Sequence, residues 1–198
     1  MPAPRILPPT PAALDRAAEL LLSGGLVILP TETVYGLAVR PDDPDALDRL
    51  YAAKNRPPAK PITALAASLD AILPRLPALP DIARRIAERY WPGPLTLVLP
   101  AREPGRYDGY RVPDHPVALD LLRRLPFAPL VTSANLSGQP PALTAQDAAD
   151  SLPDVPLILD DGPSPGAMPS TVLKIEPDGR LTLLREGPIP LQDLLALT

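Results

Sequence analysis

Residues 26–39 read LVILPTETVYGLAV, and residues 54–61 read KNRPPAKP. The first segment is an apolar run that ends at Pro30 and passes into a turn rich in hydroxyl groups. The second is a cationic loop whose prolines restrict its backbone. Apolar residues recur at helical spacing between the two segments, over residues 44–53. The stretch from Leu26 to Lys60 therefore predicts two strands, a helix and a rigid basic loop.

The lysines of the chain are concentrated in this loop. The sequence has three lysines, of which Lys54 and Lys60 are two, while the other sixteen of its nineteen basic residues are arginine. An ammonium group is a compact point charge, which a bidentate guanidinium does not replace. Cations fixed in a rigid loop suit a polyphosphate ligand. An ordinary solvated turn is the simpler interpretation of an isolated basic loop.

Composition excludes several classes of site. The 198 residues include no cysteine and one histidine, so we expect no disulfide, no thiolate nucleophile and no histidine-cluster metal site. The net charge of −4 requires any nucleic-acid binding to depend on a local basic patch. The sequence shows no apolar run of membrane-spanning length and no signal-like apolar region at its start. We therefore expect a cytoplasmic protein that does not contact a membrane.

The rest of the chain alternates between helical and strand patterns. Thr10-Pro11 is a good helix start, and Gly24-Gly25 a good helix end. Pro177-Asp178-Gly179 separates two strand patterns and predicts a closing hairpin. These patterns favour an α/β domain with a mixed sheet over residues 10–197, preceded by an N-terminal extension of residues 1–9. The strands are expected at residues 26–29, 33–39, 62–67, 95–99, 110–112, 130–132, 157–159, 171–176 and 180–185, and a short helix is expected after Ser68.

Polar residues at strand ends are the candidates for a site. Ser133 and Asn135 follow a strand, where open α/β sheets bind ligands, although a polar turn is an equal alternative. Ser133 lacks the G-x-S-x-G context of a nucleophile. His115 lies among prolines and is more easily explained as structural than as a base. Arg111 and Arg185 also lie at strand ends, and if they converge with the loop cations they form a basic cleft.

Seven motifs stand in the order typical of one family. They are PTETVYGL at 30–37, KNRP at 54–57, WPGPLT at 91–96, RVPDHP at 111–116, SAN at 133–135, PSTV at 169–172 and LREG at 184–187. Through them the chain resembles the YrdC family, the L-threonylcarbamoyladenylate synthases, over residues 10–197. The resemblance implies a single-domain, twisted, mixed open sheet with a concave basic cleft. It also implies the condensation of L-threonine, bicarbonate (or CO2) and ATP to threonylcarbamoyl-AMP and pyrophosphate.

The resemblance also assigns residues to the two substrates. It implies that Thr31, Arg111 and Ser170 hold L-threonine. It implies that ATP is held by Lys54, Arg56, Ser133, Asn135 and Arg185, with Lys60 as an additional phosphate contact. No covalent nucleophile and no protein metal ligand are expected, and Mg2+ would be held mainly by ATP oxygens and water. The product would pass to separate tRNA-threonylcarbamoyl transferase proteins.

Two departures from the family pattern are visible. Some relatives carry a histidine in the strand after the KNRP motif, where this chain has Ile62-Thr63-Ala64-Leu65-Ala66. Longer relatives add a C-terminal domain over the active site, so we expect residues 136–146 or 163–169 to close the cleft here. Two rival hypotheses remain open: a module that binds tRNA or double-stranded RNA without synthase activity, and a degenerate carboxylate-binding domain that serves another protein.

Overall fold

The structure is a computed structural model that describes residues 5–55, 57, 62–166 and 168–197. The strands are β1 (Arg5–Leu7), β2 (Val27–Leu29), β3 (Gly36–Val39), β4 (Thr63–Leu65), β5 (Leu95–Pro100), β6 (Tyr107–Arg111), β7 (Leu130–Ser133), β8 (Leu157–Leu159), β9 (Thr171–Ile175) and β10 (Leu181–Arg185). The helices are α1 (Pro11–Leu22), α2 (Pro44–Ala53), α3 (Asp81–Tyr90), α4 (Pro116–Arg123), α5 (Ala145–Ser151) and α6 (Leu191–Leu195).

The strands form one mixed, open sheet in the order β1-β8-β2-β3-β7-β4-β6-β5-β9-β10. Strand β8 runs parallel to both β1 and β2, and the pairs β4/β6 and β5/β9 are also parallel. The remaining pairs are antiparallel. Gly36 lets β3 approach β7, because a Cβ atom there would lie 2.6 Å from a methyl of Val131. The predicted single-domain α/β class with a mixed, twisted sheet is confirmed.

Alternating side chains of the strands hold helices on the two faces of the sheet. Val27 and Leu29 pack with α1 and α4, whereas Ile28 between them packs with α2 and α5 on the opposite face. Further along the sheet, α3 and α6 pack on that opposite face against β5 and β9. The apolar cluster around α1 and α4 contains no residue of β5, β6, β9 or β10. In the described structure, this cluster leaves one face of those four strands uncovered.

Helix α1 has the predicted cap at its start and the predicted glycine after its end. The Thr10 hydroxyl accepts from the Ala13 N–H at 3.3 Å, and α1 stops before Gly24, whose φ is +79°. Thr144 and Asp147 form a full capping box at the start of α5. Helix α2 has its predicted bounds and is followed by Asn55 in the left-handed region at φ +48°, where Asn is better tolerated than most residues.

Several predicted elements differ from the structure. The strand expected at 33–39 begins only at Gly36, because the Thr31 side chain holds residues 31–34 in a turn. The helix expected after Ser68 is a 3-10 turn at Leu73–Arg75, and the strand expected at 110 begins at Tyr107. Strand β1 was not predicted, and it adds part of the assigned extension to the sheet edge beside β8. Within the described part of the chain, no helix is long and apolar enough to cross a membrane.

Candidate active site

A cavity of about 190 Å³ opens on the uncovered face of the sheet, and residues of β3, β4 and β7 also line it. It is smaller than the roughly 300–1,000 Å³ of pockets that enclose drug-sized ligands, so it suits an amino acid better than a whole nucleotide. Two guanidinium groups line it, those of Arg111 and Arg185. Residues with hydroxyl groups are frequent in its lining: Thr31, Thr33, Tyr35, Thr63, Thr96, Thr132, Ser133 and Ser170.

The turn after β2 is built around the Thr31 hydroxyl. This oxygen accepts from the N–H groups of Thr33 and Val34 at 3.2 Å each and donates to the Val34 carbonyl at 2.6 Å. Since a hydroxyl has one proton, the 2.9 Å contact with Thr33 Oγ1 must use the Thr33 proton. The Thr31 hydroxyl therefore donates within the turn, whereas Thr33 Oγ1 can still accept a hydrogen bond. The expected contact of Thr31 with threonine stays a prediction.

Arg111 ends β6 in a buried position with two of its nitrogens engaged. Its Nε donates to the Gly93 carbonyl at 3.1 Å, and its Nη2 lies 2.6 Å from Glu32 Oε1. The Glu32 contact is an ion pair without the alignment of a hydrogen bond, and both carboxylate oxygens are shielded from solvent. The side chains of Arg111 and Glu32 are 8% and 15% exposed. Among the described residues, Arg111 Nη1 has no hydrogen-bond partner, so it can donate to a ligand.

A β-bulge aims Arg185 at the cavity. Leu183 pairs with Leu173, but Arg185 pairs with Val172, so one extra residue shifts the register. The guanidinium then donates twice to the Ser170 carbonyl, at 3.0 and 2.8 Å, and from Nη2 to Ser170 Oγ at 3.1 Å. Loss of water around this guanidinium, and secondly the charge of Arg111, lower the pKa of Arg185. The two arginines therefore act on the same space.

Lys54 lies beneath the site and does not line the cavity. It is 1% exposed, and its ammonium donates to the carbonyls of Ser133 and Asn135. The Asn135 amide donates to the carbonyls of Leu136 and Gln139, and its Oδ1 is buried without a partner among the described residues. Lys54 thus ties α2 to the end of β7. Contact of Lys54 and Asn135 with ATP stays a prediction, whereas Ser133 does line the cavity.

The basic cleft expected from the sequence is not confirmed. Arg56 and Lys60 lie outside the described residues. Of the described cations on the uncovered face, Arg111 pairs with Glu32 and Lys174 pairs with Glu176 at 2.7 Å. Acidic partners therefore offset part of the positive charge of this face.

His115 occupies the N-cap position of α4, without a side-chain capping bond, near three acidic groups. Its Nε2 lies 3.8 Å from Asp161 Oδ2, and its Nδ1 is buried with no hydrogen-bond partner in the described structure. Burial lowers the pKa of His115, although the negative charges of Asp161, Glu32 and Asp114 act in the opposite direction. The nearby 163–166 segment is anchored, because the Gly166 N–H donates to the Glu32 carbonyl at 2.9 Å and that of Ser164 to the Leu143 carbonyl at 2.8 Å.

The structure brings together Thr31, Arg111, Ser170, Ser133 and Arg185, all of which were expected from the sequence. It adds Glu32 as the partner of Arg111 and Thr96 as a neighbour of Ser170. Both added residues lie within the quoted motifs. Their roles could not be read from the sequence because they depend on which strands pair and which way each side chain points.

The chain is similar in sequence to a known protein family and to several curated proteins. The Sua5/YciO/YrdC family model, described as telomere recombination, matches residues 19–187. A threonylcarbamoyl-AMP synthase of Bacillus subtilis is 36% identical over 93% of this chain, which spans 56% of that protein. A putative threonylcarbamoyl-AMP synthase of Mycobacterium tuberculosis is 37% identical, with 87% of this chain and 83% of that protein aligned.

A solved structure extends the similarity to three dimensions. The crystal structure of Pyrococcus abyssi Sua5 complexed with L-threonine superimposes with a TM-score of 0.87 at 34% identity. The superposition covers 93% of this chain and 56% of that one, so the chain spans about half the length of two of these relatives. Residues 19–187, which the family model matches, include both arginines of the cavity. The chain belongs to the Sua5/YciO/YrdC family.

Proposed function

We propose that the chain is an enzyme that condenses L-threonine, bicarbonate (or CO2) and ATP to threonylcarbamoyl-AMP and pyrophosphate. The observation that carries the proposal is a cavity of amino-acid size with two guanidinium groups and many hydroxyls in its wall. The names of the relatives support it, as does the complex of the P. abyssi protein with L-threonine. The long relatives exceed this chain by about half their length, so their activity is assigned here as a proposal.

The cavity has groups for each part of a zwitterionic hydroxy amino acid. The threonine carboxylate would contact Arg111 through Nη1, because Nε and Nη2 already serve Gly93 and Glu32. The threonine hydroxyl would donate to Thr33 Oγ1, which can still accept a hydrogen bond after its contact with Thr31. This arrangement leaves the amine free to form a new bond.

The reaction needs alignment more than a protein nucleophile. The threonine amine, once deprotonated, forms a bond to the carbon of bicarbonate with loss of water, and the product is a carbamate. A carbamate oxygen then attacks the α-phosphorus of ATP, and the bond to the bridging oxygen breaks as pyrophosphate leaves. Arg185, with the proposed contacts of Arg56 and Lys60, would stabilise the charge that develops on the phosphate oxygens. Walls that exclude water would protect the carbamate.

Magnesium would enter as part of the ATP substrate. Within the described residues, no group of three or more His, Asp or Glu side chains is placed to hold a metal ion. Phosphate oxygens and water would therefore supply most of its ligands. The product would serve tRNA modification through separate transferase proteins, and a tRNA-binding module is the alternative that the experiment must distinguish.

The test is pyrophosphate release by the purified chain. We expect release from ATP only when L-threonine and bicarbonate are both present, together with a threonylcarbamoyl-AMP product detected by mass spectrometry. Pyrophosphate release that persists without threonine, or no release at all, would refute the proposed enzymatic activity. Salt-dependent tRNA binding without release would instead favour the RNA-binding module.

A matched pair of lysine variants sharpens this test. Lys54→Met removes the ammonium that holds the carbonyls of Ser133 and Asn135. We expect release to fall by about 100-fold, because the end of β7 that carries Ser133 loses its support and a small misplacement of binding groups costs this much. Lys174→Met makes the same change at a partly exposed residue of β9. It should leave release within about twofold of wild type.

A further inference from the structure

Two neighbouring hydroxyl groups in the cavity wall form a unit that extends the proposed site. Thr96 faces the cavity from β5, and Ser170 precedes β9, which pairs with β5 in parallel. Their oxygens lie 2.8 Å apart, and each residue is 3% exposed. The family resemblance assigns Ser170 to threonine, whereas Thr96 has no assigned role.

The protons of this unit can be counted. Arg185 Nη2 donates to Ser170 Oγ at 3.1 Å, and a guanidinium can only donate. The two hydroxyls carry one proton each, and one of these makes the bond between them. Neither oxygen makes another hydrogen bond within the described residues. One O–H therefore has no acceptor in the protein part that the structure describes, and both residues face the cavity.

This count holds for either direction of the bond. If Thr96 donates to Ser170, the Ser170 oxygen accepts from Thr96 and Arg185, and its own proton must point away from both. If Ser170 donates to Thr96, the Thr96 proton is the one that remains. In both arrangements the pair offers a single donor to the cavity, and the second hydroxyl fixes its direction.

We propose that Thr96 and Ser170 act together as one O–H donor to an anionic oxygen of the bound ligand, which makes Thr96 a ligand-positioning residue. An anionic oxygen is the fitting acceptor because Arg111 and Arg185 line the same cavity. The threonine carboxylate and an ATP phosphate both supply this chemistry. That these two ligands bind here rests on the proposed function. The presence of one O–H donor shared by Thr96 and Ser170 does not depend on it.

The experiment compares Thr96→Val, which removes the hydroxyl and keeps the shape, with Thr96→Ser, which keeps the hydroxyl. Calorimetric titration of L-threonine and of ATP, each alone, needs no turnover. We expect Thr96→Val to weaken the binding of one of the two ligands by about ten- to a hundredfold, as for a lost hydrogen bond to a charged group. Weaker threonine binding identifies the threonine carboxylate as the acceptor, and weaker ATP binding identifies a phosphate. Thr96→Ser should stay within about threefold of wild type.

A double variant keeps the test informative if packing changes. Ser170→Ala should weaken binding of the same ligand. The double variant Thr96→Val/Ser170→Ala should bind that ligand almost as well as the weaker-binding single variant, because each of the three variants loses the same single donor. Equal binding by wild type and Thr96→Val, or additive losses in the double variant, would overturn the inference. Absence of pyrophosphate release with ligand binding intact would refute only the proposed function. If the wild type binds neither ligand, both proposals fail.

Discussion

The two halves of the sheet use their faces differently. Strands β8, β2 and β3 carry apolar side chains on both faces, with α1 and α4 on one side and α2 and α5 on the other. Strands β5 and β9 bury apolar side chains only toward α3 and α6, and their other face carries Thr96, Val98, Val172 and Lys174. The doubly covered half buries both faces of its strands. The half covered on one side offers the surface on which a ligand can bind.

The largest expected effect on stability lies where the two halves meet, at the Glu32–Arg111 ion pair. Glu32→Gln keeps the shape of the side chain but leaves the buried Arg111 charge unpaired. We expect the free energy of unfolding to fall by about 3–5 kcal/mol, the cost of breaking a buried pair. Chemical denaturation at neutral pH measures this change.

An exposed glutamate provides the control for that substitution. The Glu103 side chain is 71% exposed, so Glu103→Gln should change the free energy of unfolding by less than about 0.5 kcal/mol. If Glu32→Gln proves equally mild, the ion pair does not hold the turn after β2 against β6. The boundary between the halves would then depend on packing alone.

A pair of apolar truncations tests the comparison directly. Leu121 of α4 is 1% exposed in the doubly covered half, so Leu121→Ala should lower the free energy of unfolding by about 2–5 kcal/mol. Val98 of β5 is half-buried on the uncovered face, so Val98→Ala should cost less than about 1 kcal/mol. Equal costs in denaturant titrations would show that something covers this face in solution.

The sequence predicted the doubly covered half better than the site. Helix α2 and strand β8 have their predicted bounds, because α2 has apolar residues at helical spacing and β8 is a short apolar run. Strand β1 was missed, since its three residues show no periodicity and pair only through the distant β8. The local sequence pattern predicts an element well when that element buries its own apolar side chains. It does not predict a short strand that forms only because a distant strand pairs with it.

The site shows the same limit at the level of side chains. Arg111 and Arg185 were expected at strand ends, and both reach the cavity. That Arg185 points there depends on a bulge that residue types do not reveal. The contact of Lys54 with phosphate stays a prediction. The sequence did not reveal that its ammonium donates to two carbonyls, because that depends on which acceptors the fold places beside it.

The smallest expected effect comes from His115, beside the same ion pair. Burial lowers its pKa below the ordinary 6.5, against the charges of Asp161 and Glu32. The unfolded chain therefore binds the proton more readily than the folded protein does, and stability is complete above pH 6.5 and falls as the pH decreases below that value. The loss is at most about 1.4 kcal/mol per pH unit for one proton. Urea titrations from about pH 5 to pH 7.5 should show this slope in wild type and a flatter one in His115→Gln. Identical slopes would mean that His115 is as easily protonated in the folded protein as in the unfolded chain.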